Sequence, residues 1–93
     1  MKGKEKKAEI GWDSRGMERE IWLNLSGVTS MEKKKVNQDV YHTCQARGLD
    51  YVKMQGNEIK FHMTGGNVSK SEYSKDPFKT IIEVLEKNGF TVS

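Results

Sequence analysis

Residues 20–27, EIWLNLSG, constrain this chain more than any other stretch. Ile21, Leu23 and Leu25 alternate with Glu20, Trp22 and Asn24, and successive side chains of an extended chain point to opposite faces. One face of this strand is aliphatic, while the other carries an indole and an amide. A helix-length segment follows, then two more short alternating runs. That is the pattern of a central strand in a small sheet buried on one side.

Ninety-three residues, 34% of them hydrophobic and 31% charged, suffice for one domain with one core. The mean hydropathy of −0.78 leaves little apolar material to spare, so a partner or a second copy is a natural means of further burial. The one cysteine, Cys44, excludes an internal disulfide, and no secretory signal or membrane-length apolar run is evident. The expected compartment is cytoplasmic. A net charge of +3 permits contact with nucleic acid without requiring it.

Residues 1–7, MKGKEKK, read as a flexible basic arm and 8–93 as a single α+β domain. Ala8, Ile10 and Trp12 alternate with Glu9 and Gly11, and the run Asp13 to Gly16 is rich in turn formers. This predicts an extra N-terminal strand, short and at an edge, hairpinned to 17–25. Thr29 and Glu32 have the spacing of a capping box that opens a helix over 30–47, closed by Gly48. Val36, Val40 and Cys44 form its expected inward face, flanked by Met31 and Tyr41. Strands are expected at 51–55 and 58–64 around a turn at Gly56 and Asn57, then a polar loop at 65–75. Asp76 as N-cap, Pro77 at the first helical position and Gly89 at the end bracket a second helix. Phe78, Ile81, Ile82 and Leu85 are its buried stripe, and 90–92 is the last short strand.

The order strand, helix, strand, strand, helix, strand predicts a ferredoxin-like βαββαβ sandwich, with both helices on one face of an antiparallel sheet. Strands 21–25 and 58–64 then lie together in the middle. With Ile21, Leu23, Leu25, Ile59, Phe61 and Met63 turned toward the helices, Trp22, Asn24, Lys60 and His62 face outward. Tyr51 and Lys53 join them from a neighbouring strand. Rings that stack on bases beside ammonium groups that meet phosphates suit single-stranded RNA or DNA. Lys33, Lys34 and Lys35, set against the helix dipole, extend the same expectation. The competing reading is a protein-binding adaptor or inhibitor, or a homodimer through the same face, because aromatic residues anchor such interfaces too.

Ile21, Trp22, Leu23, Asn24 and Leu25 resemble the first-strand signature of the RNA-recognition motif, which implies base stacking on Trp22. The spacer before the asparagine is missing, and residues 57–63 carry none of that family's second signature. The run Ser26 to Ser30 resembles the loop of small metal-carrying ferredoxin-like domains, but the Cys-x-x-Cys of those domains is absent. Acylphosphatases share the topology, yet no arginine lies between Val28 and Arg47 to build their phosphate cradle. His42 and Cys44 point different ways on a helix, and no nucleophile, base and acid can be assembled around His62. The expectation is a non-catalytic interaction domain with no cofactor, no metal and no membrane partner.

Overall fold

A computed structural model describes residues 5–64 and 70–93. Strand β1 (Lys7–Arg15) and strand β2 (Glu18–Ser26) form a hairpin, followed by helix α1 (Ser30–Ala46). A second hairpin, β3 (Lys53–Gln55) and β4 (Glu58–Thr64), leads to a short 3-10 turn at Lys70–Ser74. Helix α2 (Phe78–Lys87) and strand β5 (Thr91–Val92) complete the order. The arm expected at 1–7 and the loop expected at 65–75 lie partly outside the described residues, at 1–4 and 65–69.

Two helices and a five-stranded sheet make this an α+β fold, but the sheet order β3-β4-β2-β1-β5 departs from the ferredoxin-like expectation. The expected pairing of the last strand with β2 is absent. Strand β1 holds that place, antiparallel to β2 over all nine of its residues, and β5 pairs parallel with Lys7 and Ala8. The N-terminal strand is therefore neither short nor outermost. Asp13, Ser14 and Arg15, expected in a turn, continue the strand, and the chain reverses at Gly16 and Met17. Gly16 supplies the positive φ, 64°, that a two-residue hairpin connection needs and that a side chain would resist.

The capping box forms as spaced in the sequence. The Glu32 amide donates to Thr29 Oγ1 at 3.2 Å and the Thr29 amide to Glu32 Oε1 at 3.4 Å. Val36, Val40 and Cys44 are buried, and the fourth buried residue of α1 is Asn37, whose Nδ2 donates to the Asn57 carbonyl at 2.9 Å. Met31 does not flank this stripe. It lies about 140° around the helix from Val36 at 100° per residue and is 84% exposed. The strand expected at 51–55 starts only at Lys53, because the chain is still turning after α1. The Leu49 amide donates to Cys44 O, and the Val52 amide to Leu49 O.

Pro77 caps α2 one residue later than expected, and Asp76 instead accepts from the Thr80 hydroxyl at 2.6 Å. Arg47 donates to the same hydroxyl oxygen at 2.9 Å and to Glu83 at 3.1 Å, tying the end of α1 to α2. Ile21, Leu23, Ile59 and Phe61 meet Val40, Cys44, Phe78, Ile81 and Leu85 in one core. Phe61 and Phe78 pack edge to face at 5.8 Å. Helix α1 contacts β3 and β4, and α2 contacts β5, so both helices cover one side of the sheet.

Candidate functional site

Strand alternation leaves the other side of the sheet open. The buried positions are Ala8 and Ile10 on β1, Arg19, Ile21 and Leu23 on β2, and Ile59 and Phe61 on β4. The residues between them face outward. Register then builds a row across four strands: Lys53 opposite Lys60, Lys60 opposite Trp22, Trp22 opposite Gly11. Neighbouring strands lie about 4.8 Å apart, so two lysines and a tryptophan share one line.

Trp22 does not project freely from this line. A Cβ placed on Gly11 would stand 2.4 Å from the indole Nε1 and 2.7 Å from Cε2. The ring therefore lies over Gly11 and occupies the space a side chain there would take. The Asn24 amide nitrogen closes the same place at 2.9 Å. Trp22 is half-buried as a result, held on the sheet before any partner arrives.

The electrostatics of the face are mixed. Glu20 lies 3.3 Å from His62 Nε2 and 3.9 Å from Lys60 Nζ, so one carboxylate serves both basic side chains. Lys53 and Lys60 are opposite residues across two strands, where like charges disfavour the sheet, and Glu20 supplies a counter-charge to Lys60 alone. Lys53 has no ion-pair partner among the described residues. Across the outward positions, Glu9, Asp13, Glu18, Glu20 and Glu58 stand against Lys7, Arg15, Lys53 and Lys60.

Tyr51 lies in the turn before β3, with Cys44 and Asp76 of the helical side nearby. It borders a groove of about 590 Å³ with Lys53, Met54, Lys60, Phe61 and His62. Burial, then the nearby Asp76, Cys44 and Asp50, raise the Tyr51 hydroxyl pKa above the usual 10, so the ring stays neutral at ordinary pH. A shallower pocket beside it, lined by Glu20, Trp22, Asn24, Glu58 and Lys60, continues the surface toward the far end of β2. Five of the nine sequence-predicted residues, Trp22, Asn24, Lys53, Lys60 and His62, thus share the outward side of the strands, and Tyr51 borders the groove beside them.

The other three lie on α1, which packs on the covered side: Lys33 reaches Glu58, a residue of the open face, at 3.5 Å, while Lys34 and Lys35 are exposed on the helical layer. Sequence reasoning also missed Arg19, which is 4% exposed and forks onto both carboxylate oxygens of Glu72, at 3.0 Å for Nη1 to Oε2. Its signal was present, since Arg19 falls on the inward parity of Ile21 and Leu23. Cys44 is fully buried. Desolvation, reinforced by Asp76 and opposed by Arg47, pushes its thiol up to about 11, so it is a core filler without thiolate character. Among the described residues no group of three or more His, Cys, Asp or Glu is placed to hold a metal ion, and no helix is long and apolar enough to cross a membrane. Comparison with protein-family models, curated proteins and solved structures gives no match.

Proposed function

We propose that the protein is a non-catalytic interaction domain whose open sheet face receives a protein segment. The observation that carries this reading is the row Lys53, Lys60, Trp22: two opposed lysines, one of them without an ion-pair partner among the described residues, beside a ring already fixed over Gly11. A partner carboxylate at Lys53 supplies the counter-charge that Glu20 gives Lys60, and an apolar partner side chain covers the exposed part of the indole. A pre-positioned aromatic loses little freedom on binding, which is why such residues anchor interfaces.

Single-stranded nucleic acid is the second reading, favoured by two aromatic residues near the lysines, Trp22 opposite Lys60 and Tyr51 in the groove that Lys53 and Lys60 also line. The charge balance weighs against it. Sequence-tolerant binding to a phosphate chain draws its free energy from counterion release by a cationic surface, and here the outward carboxylates offset the cations around them.

Parallel titrations separate the two. Peptides selected from a random library on the wild-type protein are expected to lose at least tenfold in affinity on Trp22→Ala and on Lys53→Glu. Oligouridylate and oligothymidylate are expected to bind negligibly at physiological salt. Tight oligonucleotide binding that falls steeply with added salt, without any selected peptide, overturns the protein-segment reading in favour of the second.

A further inference from the structure

Both outer strands of the sheet are short, and neither reaches the β1–β2 hairpin end, where only β1, β2 and β4 lie side by side. Strand β1 keeps β2 beside it throughout, but on its other side β5 reaches only Lys7 and Ala8. The Ser93 amide donates to the Ala8 carbonyl at 3.0 Å, which shows which way the even-numbered residues of β1 direct their main-chain groups. By the alternation of an antiparallel ladder, Ile10, Trp12 and Ser14 turn their N–H and C=O groups to that same side. Among the described residues no strand pairs with them there. An open edge of this kind is a template for another strand.

We infer that this edge pairs with the same edge of a second copy, antiparallel and about a two-fold axis at Ser14. Register and charge select that arrangement. Hydrogen-bonded pairs must join even residues to even residues. Pairing centred on Trp12 drives the partner's Arg15 into the place of Ser93, which is held by its bond to Ala8 and by the Tyr73 hydroxyl donating to its carbonyl at 3.1 Å. Pairing of Trp12 with Ser14 sets Asp13 directly against the other Asp13. Pairing of Ser14 with Ser14 sets Asp13 against Arg15 twice, in the close positions where side chains meet best. Both are exposed, Arg15 by 91% and Asp13 by 60% of its side chain, and they already approach each other within one chain at 3.9 Å. The same arrangement carries Met17, 80% exposed at the hairpin tip, over the neighbouring copy's β1. The contact spans few residues and falls short of the roughly 1,200–2,000 Å² of a standard interface, so the dimer is reversible. It leaves Trp22, Lys60 and Lys53 uncovered and is independent of the function proposed above.

Sedimentation equilibrium over a wide concentration range tests this. The wild-type average mass is expected to rise from 10.6 kDa toward twice that value. Asp13→Arg opposes two arginines and is expected to stay monomeric, while Asp13→Arg with Arg15→Asp restores association. Ser14→Pro removes an amide that the β1–β2 ladder does not use, so it is expected to keep the wild-type circular dichroism spectrum and lose the dimer. A wild-type mass of one chain at every concentration overturns the proposal. So does a dimer unaffected by both Asp13→Arg and Ser14→Pro.

Discussion

Gly11 and Trp22 face each other across the β1–β2 ladder, and the indole fills the space that a side chain at position 11 would need. This pair fixes both the hairpin and the surface proposed to bind. Gly11→Ala puts a methyl group 2.4 Å from Nε1 and forces the ring away. The expected cost is about 1–3 kcal/mol, the range of overpacking. In a Trp22→Ala background the same change is expected to be neutral or mildly stabilising, since alanine is better than glycine in a strand without the clash. Urea unfolding of the four proteins in the cycle measures the coupling.

The Arg19–Glu72 pair joins the inward face of β2 to the turn before α2. Arg19 is 4% exposed, so its truncation removes a buried ion pair and leaves a cavity on the inward face of β2. Arg19→Ala is therefore expected to lower the urea midpoint far more than Arg47→Ala, whose pair with Glu83 is about half exposed on both sides.

Alkaline pH is expected to weaken the fold through Cys44. Its thiol titrates near 9.0 when unfolded and is pushed up to about 11 in the fold, first by desolvation. A folded pKa above the unfolded one means that the native state holds the proton longer. Stability is then intact below about pH 9 and is lost progressively toward pH 11, by about 2–3 kcal/mol. Tyr51 and Tyr73, both raised, add to the loss above pH 10. Thermal unfolding from pH 8 to 11 is expected to show a steeper decline in wild type than in Cys44→Ala.

The capping box offers a local test. Thr29→Ala frees the Glu32 amide and is expected to cost about 1 kcal/mol, read as a lower thermal midpoint with an unchanged spectrum.

Local chemistry made much of this fold legible. Thr29 with Glu32 and the four-residue spacing of Val36, Val40 and Cys44 placed α1, and the alternation from Glu20 onward placed the indole of Trp22 on the outside. What failed depended on register and on contacts distant in the chain. Asp13 and Ser14 are turn formers by propensity, yet pairing with β2 holds them extended, and that pairing displaced β5 from its expected neighbour. Once the reversal is set at Gly16 and Met17, Gly11 must oppose Trp22, so one misplaced turn concealed the central contact of the site. Lys33, Lys34 and Lys35 were read as a block, although a helix turns by about 100° per residue. Only Lys33 falls on the inward stripe, and it is spent on Glu58.

Amide shift mapping during titration of a library-selected peptide tests the open-face account most directly. The indole N–H of Trp22 and the amides of Glu20, Lys53 and Lys60 are expected to move, while Lys34, Lys35 and the outer side of α2 stay still. Shifts confined to the helical layer, with Trp22 unmoved, would contradict it.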